Sequence, residues 1–374
     1  MKIIILQDRL RSGGTERQSV LLSRAFAAAG HESTLLTFRP GGALADSVSG
    51  SVRHKVLQPV DLRLDWFAPG LLPTLHDLAP DVVLCMGRMA NCYGGAIQRH
   101  LPATAVIATM RTGKALPFLF RRSLTIVRHI VANSRDASDT LVRGYGLDRA
   151  RISVIYNSLV FPPPSGVARD PTVRARFGAD ANTQVLLCVA MFRPEKNQRE
   201  LIEIIRALPA ESPWQLWLAG DGPARAACEQ WVAQHDLGAR VKFPGFQRDP
   251  GPLYQAADYA VHASSSEALS NFLIEAQAHG LPVVAYEAQG IAECFIPGRT
   301  GWVIPRGERD AFRLALTRLM TTSPAERARL AQEASAFARQ TFDPHRQGAA
   351  YLTLFKKQLA DPQSHRSDLP LPPS

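Results

Sequence analysis

The chain has 374 residues, 46% of them apolar and 20% charged, with a formal net charge of +10; this suits a soluble protein of two ordinary domains rather than one core. No run of about 18 uncharged apolar residues occurs, and the opening MKIIILQDRLRSGG enters a strand and a polar loop instead of a signal-peptide pattern, so a cytoplasmic protein is expected. The five cysteines (Cys85, Cys92, Cys188, Cys228, Cys294) include no C-x-x-C pair and lie mostly in apolar runs, which reads as buried thiols, neither disulfides nor metal ligands.

KIIIL is a short apolar strand, followed by a loop with Gly13 and Gly14 and by TERQSVLLSRAFAAAG, whose apolar positions recur at helical spacing until Gly30 closes it. ESTLLTF, DVVLCM and TAVIATM read as further strands, and IVRHIVANS brings another to a polar end. RISVIYNSLVFPPPSGVARD closes this half, its three prolines marking a stiff connector. The pattern then restarts with five short apolar strands, QVLLCVAMF, WQLWLAG, VKFPGF, DYAVHAS and PVVAYE, separated by helical segments such as QRELIEIIRAL and ARAACEQWVAQHDL. Strands alternating with helices imply parallel, doubly wound sheets. Two further helices, AERARLAQEASAFARQTF and HRQGAAYLTLFKKQLA, precede a polar, proline-rich tail.

The charge is uneven. Residues 1–160 hold 20 Lys and Arg against 11 Asp and Glu, whereas 161–374 hold 23 against 22. A basic half beside a neutral half suits a polyanionic partner, an acidic acceptor or an anionic membrane face, and equally a generic soluble surface. Nucleic acid is not expected, because the basic residues are not interleaved with aromatics and no recognition module is present.

The most informative stretch is YAVHASSSEALSNFLIEAQAHGLPVVA, which carries Glu267 and Glu275 eight residues apart. It reads as a buried strand over 259–263, a serine loop, a short apolar helix from about Ser270, Gly280 at its end and Pro282 leading into a strand. The helix N-terminus is an anion site, and the two carboxylates lie on the order of 10 Å apart at about 1.5 Å rise per residue. Two acceptor-only groups flanking a donor-rich helix end match a nucleoside diphosphate sugar, with hydroxyls at both ends and a diphosphate between.

In order and spacing, GGTE, VANSRDASDTLVRGYGLDRARISVIYNS, FRPEKNQ, LAGDGPAR, VKFPGF and EALSNFLIEAQAHGLPVVA resemble the retaining family 4 of glycosyltransferases over nearly the whole chain. The resemblance implies the GT-B fold: two Rossmann-like, doubly wound parallel-sheet domains facing across a cleft. It places an acceptor-binding domain at 1–162, a nucleotide-sugar-binding domain at 163–342, a helix at 343–360 packing back on the first domain, and a flexible tail at 361–374. By the same resemblance Glu275 accepts from the ribose hydroxyls, Glu267 orients the transferred sugar, main-chain N–H groups near Leu269, Ser270 and Asn271 hold the diphosphate, and Lys196 neutralises the leaving phosphate. Gly13 and Gly14 let the main chain approach the diphosphate from the other side.

Two departures from the family pattern stand out. Met191 occupies the usual place of an arginine, so either Arg193 substitutes for it or Lys196 carries the leaving-group charge alone. The segment LCMGRMANCYGG has no histidine where many relatives carry one, and His54, His76, His100 and His129 read as ordinary histidines. Arg88, Arg111 and Lys114 follow strand ends and are the acceptor-side candidates.

The resemblance thus implies a retaining, metal-independent enzyme with no cofactor, using a nucleotide sugar (a UDP-sugar is favoured) and a glycan or lipid-linked acceptor. KALPFLFRRSLTIVRHIV mixes Phe, Leu and Ile with Lys114, Arg121, Arg122 and Arg128, and reads either as a segment lying on an anionic membrane or as an ordinary helix and strand. A nucleotide-sugar epimerase of the same fold is the alternative enzyme, and a non-catalytic polyanion binder the alternative outside enzymes.

Overall fold

The computed structural model describes residues 1–48, 50–161, 170–209 and 212–360; the prolines at 162–164 and the tail at 361–374 lie outside this set. The chain divides into two compact units. The first comprises Met1–Arg111, Ala115–Ser158 and the segment from Pro344, and the second Thr112–Lys114 and Leu159–Asp343.

The first unit runs β1 (Lys2–Gln7), α1 (Gly14–Ala28), β2 (Glu32–Thr37), β3 (Arg53–Val56), α2 (Leu71–Leu78), β4 (Val82–Cys85), α3 (Arg88–His100), β5 (Ala105–Met110), α4 (Phe118–Ile126), β6 (His129–Ala132), α5 (Arg135–Tyr145) and β7 (Ile152–Val154). Every strand pairing is parallel, in the order β3-β2-β1-β4-β5-β6-β7. The central strands are continuous apolar runs because both faces are covered. Ile4 and Leu6 enter one core while Ile3 and Ile5 enter the other, as the two-residue strand period requires. The order reverses between β1 and β4, so the carboxyl ends of these strands flank the crevice where ligands settle in such sheets.

The second unit runs α6 (Pro171–Arg176), β8 (Gln184–Val189), α7 (Gln198–Arg206), β9 (Trp214–Ala219), α8 (Arg225–Gln234), β10 (Val241–Gly245), α9 (Gly251–Ala256), β11 (Tyr259–His262), α10 (Asn271–Ala278), β12 (Val283–Tyr286), β13 (Gly301–Ile304), α11 (Arg309–Met320) and α12 (Pro324–Thr341). Its parallel sheet has the order β10-β9-β8-β11-β12-β13, with the reversal between β8 and β11. The last helix, α13 (Pro344–Ala360), belongs to the first unit, where Tyr351 and Phe355 pack edge-on against Phe26 of α1 at 6.2 and 5.5 Å.

The strands read from apolar runs are present. Three more, β3, β7 and β13, are edge strands of three or four residues: β3 (RHKV) has no apolar run, and β7 (ISV) and β13 (GWVI) are too short to stand out. All five cysteines are free thiols, four of them buried and Cys92 half-buried. No helix among the described residues is long and apolar enough to cross a membrane.

Candidate functional site

The turn from β11 to α10 lies at the carboxyl edge of the second sheet, beside its switch point. The serines of this turn are laced to the short turn Pro194–Lys196 that follows β8. The Ser265 amide donates to the Glu195 carbonyl at 2.8 Å, and the hydroxyls of Ser264 and Ser265 reach the same oxygen at 3.2 and 3.1 Å. This lacing places Lys196 against Glu267.

The course of the 194–196 turn is set by main chain. Phe192 N–H donates to the Asp221 carbonyl at 2.9 Å, and Ala224 N–H to the Phe192 carbonyl at 3.2 Å. Gly222, at φ +147°, passes so close that a Cβ would come within 2.4 Å of the Phe192 carbonyl oxygen, a path only glycine can follow. The G-D-G sequence after β9 is therefore a packing device for the turn that presents Lys196.

Glu267 Oε1 pairs with Lys196 Nζ and also accepts from His262 Nε2 at 2.8 Å. His262 ends β11, is fully buried, and its Nδ1 has no hydrogen-bond partner. Burial lowers the pKa of His262 against the opposing pull of Glu267. A neutral ring with the proton on Nε2 follows: it donates to the carboxylate and leaves only a lone pair at the buried Nδ1. For Glu267, burial acts to raise the pKa, but the Lys196 charge and the His262 hydrogen bond outweigh it and bring it down to about 2. Both donors fall on Oε1, so the carboxylate is ionised and fixed in rotation.

Glu275 lies one turn into α10, where the Tyr254 hydroxyl of α9 donates to its Oε2 at 2.6 Å. The Tyr254 ring stacks on His279 with centroids 4.9 Å apart at 16°. Leu269 and Ser270 are buried and Asn271 half-buried. Ser270 is the N-cap of α10, and its side chain makes no capping bond, so the helix end presents main-chain amides and the positive dipole end. Gly290, at φ +72°, brings its loop against this turn, where a Cβ would lie 2.0 Å from the Ala268 carbonyl oxygen.

The other expected residues sit as follows. Arg193 opens the 194–196 turn and is exposed. Lys114, grouped with the second unit, pairs with Glu195 at 2.7 Å. In the first unit, Gly13 is the N-cap of α1 and Gly14 its first residue; Glu16 folds back over them, close enough that a Cβ on Gly13 would meet its Oε2 at 2.4 Å. Arg88 opens α3 and donates to the Ala115 carbonyl at 3.0 Å. Arg111 is half-buried and donates to Asn157 and to the Tyr351 hydroxyl, at 2.5 and 2.7 Å, which ties α13 to the end of β5. The structure thus gathers Glu267, Lys196 and the α10 N-terminus with Glu275 and, through Glu195, Lys114. Gly13, Gly14, Arg88 and Arg111 belong to the other unit.

Three residues escaped the sequence reading. His262 carried one signal, a histidine ending an apolar strand five residues before Glu267. Tyr254 carried none, because its partner is 21 residues away. Asp8, at the carboxyl end of β1, accepts from the amides of Met89 and Ala90 at 3.1 and 2.8 Å and so caps the helix that begins with Arg88. Burial raises its pKa to about 6 against those two amides.

A family model described as Glycosyl transferases group 1 matches residues 170–337, and one described as Glycosyltransferase Family 4 matches residues 12–159. The lipopolysaccharide core biosynthesis glycosyltransferase LpsE of Rhizobium meliloti (strain 1021) is 28% identical over 332 residues, covering 86% of this chain and 89% of its own. Among solved structures, Anabaena Alr3699/HepE in complex with UDP superposes with a TM-score of 0.79 at 22% identity, over 96% of this chain and 100% of that one. WaaG, a glycosyltransferase involved in lipopolysaccharide biosynthesis, gives 0.73 at 17% identity over 95% and 99%. These likenesses show the GT-B fold.

Proposed function

The chain belongs to family 4 of the glycosyltransferases, and from that premise we propose that it transfers a sugar, with retention, from a UDP-sugar to a glycan or lipid-linked acceptor in the assembly of lipopolysaccharide or a related cell-surface polysaccharide. The single observation that carries the reading is the cluster of Lys196, Glu267 and His262 at the N-terminal end of α10. The acceptor class rests on relatives such as LpsE, and the uridine on the UDP and UDP-glucose bound by HepE.

In this reading the pyrophosphate lies at the main-chain amides of Leu269, Ser270 and Asn271, and Glu275, steadied by Tyr254, accepts from the ribose hydroxyls. As the anomeric bond breaks, charge grows on the leaving phosphate; Lys196 and Arg193 meet it together with the helix dipole. These fixed positive groups do the work a metal ion does elsewhere. Glu267, held by His262, orients the sugar hydroxyls and does not attack. Arg88 and Arg111, in the first unit, are assigned to the acceptor, and Lys114 lies beside Glu195 of the second unit.

The protein acts at the inner face of the cytoplasmic membrane. Phe118 and Leu119 at the start of α4 are exposed beside Arg121 and Arg122, around a cavity of about 630 Å³ that Tyr145 and Leu147 also line. A thermal-shift screen of UDP-, GDP- and ADP-sugars tests the donor, followed by mass spectrometry of the product with a lipid-linked core oligosaccharide. Stabilisation by one UDP-sugar and a mass gain of one hexose on the acceptor are expected. Release of an altered sugar nucleotide with no acceptor consumed overturns the reading.

A further inference from the structure

The first turn of α3 is fastened to the carboxyl ends of three strands. Asn91, buried, donates from Nδ2 to the Gly87 carbonyl at 2.7 Å and accepts from the Thr109 amide at 2.8 Å. The Thr109 hydroxyl donates to the Cys85 carbonyl at 2.8 Å, so β4 and β5 meet at this point. The third tie comes from the end of β1. Both carboxylate oxygens of Asp8 accept from the helix, Oδ2 from the Met89 amide and Oδ1 from that of Ala90.

A helix N-terminus usually takes such a bond from its own N-cap side chain, as α5 does from Ser134 and α12 from Ser323. The N-cap of α3 is Gly87, at φ −73°, a conformation open to any residue. Glycine is required there for space, since a Cβ would lie 2.2 Å from Asp8 Oδ1. A neutral local cap has given way to a carboxylate 81 and 82 residues from the amides it serves. The exchange does not favour stability. Burial raises the Asp8 pKa to about 6 against the two amides, with Asp65 adding to the rise and Arg11 opposing it. Folding thus disfavours the ionised form, which is not the mark of a cap kept for stability alone.

The turn carries Arg88. This residue follows β4 beside the switch point, is exposed, donates to the Ala115 carbonyl, and pairs with no carboxylate among the described residues. We propose that Asp8 is the positioning residue for Arg88, its carboxylate holding the first turn of α3 in the pose from which the guanidinium binds an anionic group of the acceptor. The inference rests on the acceptor role proposed above for Arg88. A protonated Asp8 has an O–H in place of one acceptor oxygen, and one of the two ties is lost. The other groups that act on Asp8 keep their charge as it titrates. Burial pushes the Cys85 and Cys92 thiols up, and for Asp65 burial acts upward but Arg39 and Arg11 outweigh it. Guanidinium groups stay cationic throughout.

The test uses the full chain with the UDP-sugar that the thermal-shift screen selects and the lipid-linked core oligosaccharide. At saturating donor, the acceptor KM should rise about tenfold from about pH 7.5 to about pH 5, as the ionised fraction of Asp8 falls to about a tenth. The donor KM should not follow. Asp8→Asn should show the high acceptor KM at every pH, and Asp8→Asn/Arg88→Ala should be no worse than Arg88→Ala. Parallel pH profiles in the wild type and Asp8→Asn overturn the inference, as do additive effects in the double variant. So does a loss of Tm in Asp8→Asn with equal losses in kcat and both KM values, which marks a merely structural cap. A readout free of turnover is the NMR shift of the Met89 and Ala90 amides, expected to titrate near pH 6 in the wild type and not in Asp8→Asn. No such titration overturns the inference whatever the turnover. Its presence in a chain that transfers no sugar would sink the transferase reading and leave the Asp8 tie standing.

Discussion

The Tyr254 hydroxyl donates to Oε2 of Glu275 across 2.6 Å, tying α9 to α10 and fixing the carboxylate that the proposed function assigns to the ribose. A hydrogen bond to a charged acceptor contributes about 1.5–3 kcal/mol. Tyr254→Phe keeps the stack on His279 and removes that bond. UDP affinity by calorimetry is expected to fall about tenfold, and Glu275→Ala should abolish the thermal shift. Unchanged affinity in both variants rejects the ribose assignment.

His262, fully buried, donates to Glu267 and is read as its positioning residue. His262→Phe preserves ring volume and removes the Nε2 donor. The expected result is a kcat lower by about 10- to 100-fold with KM for the UDP-sugar nearly unchanged, because orientation is lost and nucleotide binding is not. Equal loss in KM, or none in kcat, rejects the positioning role.

Lys196 and Glu267 are expected to be strongly non-additive. Lys196→Ala leaves a largely buried carboxylate with His262 as its remaining donor, and should cost about 2–3 kcal/mol of stability, less than a fully buried pair because the lysine is partly exposed. Lys196→Ala/Glu267→Ala should recover part of that loss in urea unfolding. Turnover should not recover, since each single change lowers kcat about 100-fold or more.

A pH effect centres on His279. Burial lowers its pKa from 6.5 to about 4, so it stays neutral in the folded chain under conditions where the unfolded chain takes up a proton. The contribution of His279 to stability is therefore full above pH 6.5 and declines as pH falls from 6.5 to 4, by about 2 kcal/mol once partial exposure is discounted. Comparing urea midpoints of the wild type and His279→Phe across this window should show a steeper fall in the wild type than in the variant.

Gly222→Ala should be severe. The new Cβ meets the Phe192 carbonyl at 2.4 Å, in a backbone conformation foreign to L side chains. A destabilisation of about 2–3 kcal/mol is expected, with turnover falling as the Lys196 turn shifts. A midpoint within error of the wild type would show that the turn is pliable.

Much of this was legible from the sequence because it is local. Buried parallel strands read as apolar runs, and E-x7-E places two carboxylates around a helix start by spacing alone. The edge strands β3, β7 and β13 were not legible, since β3 (RHKV) lacks an apolar run and β7 and β13 span only three and four residues. Tyr254 and His262 were missed for a different reason. Their importance lies in which carboxylate oxygen they reach, and that is fixed by how α9 and β11 pack against α10. The bonds of the Arg111 guanidinium to Asn157 and Tyr351 were likewise not legible, since these partners are 46 and 240 residues away.

The main-chain clasp between 190–192 and 221–224 has a bearing on the missing arginine at 191. Main-chain bonds hold that bend together with the side chains of Gln198, Ser264 and Ser265, and the side chains of Met191 and Arg193 take no hydrogen-bonding part in it. In the proposed function, Arg193 supplies the cation from two residues along while the lysine keeps its post. Such a bend is a scaffold on which donor preference can drift without unmaking the chemistry.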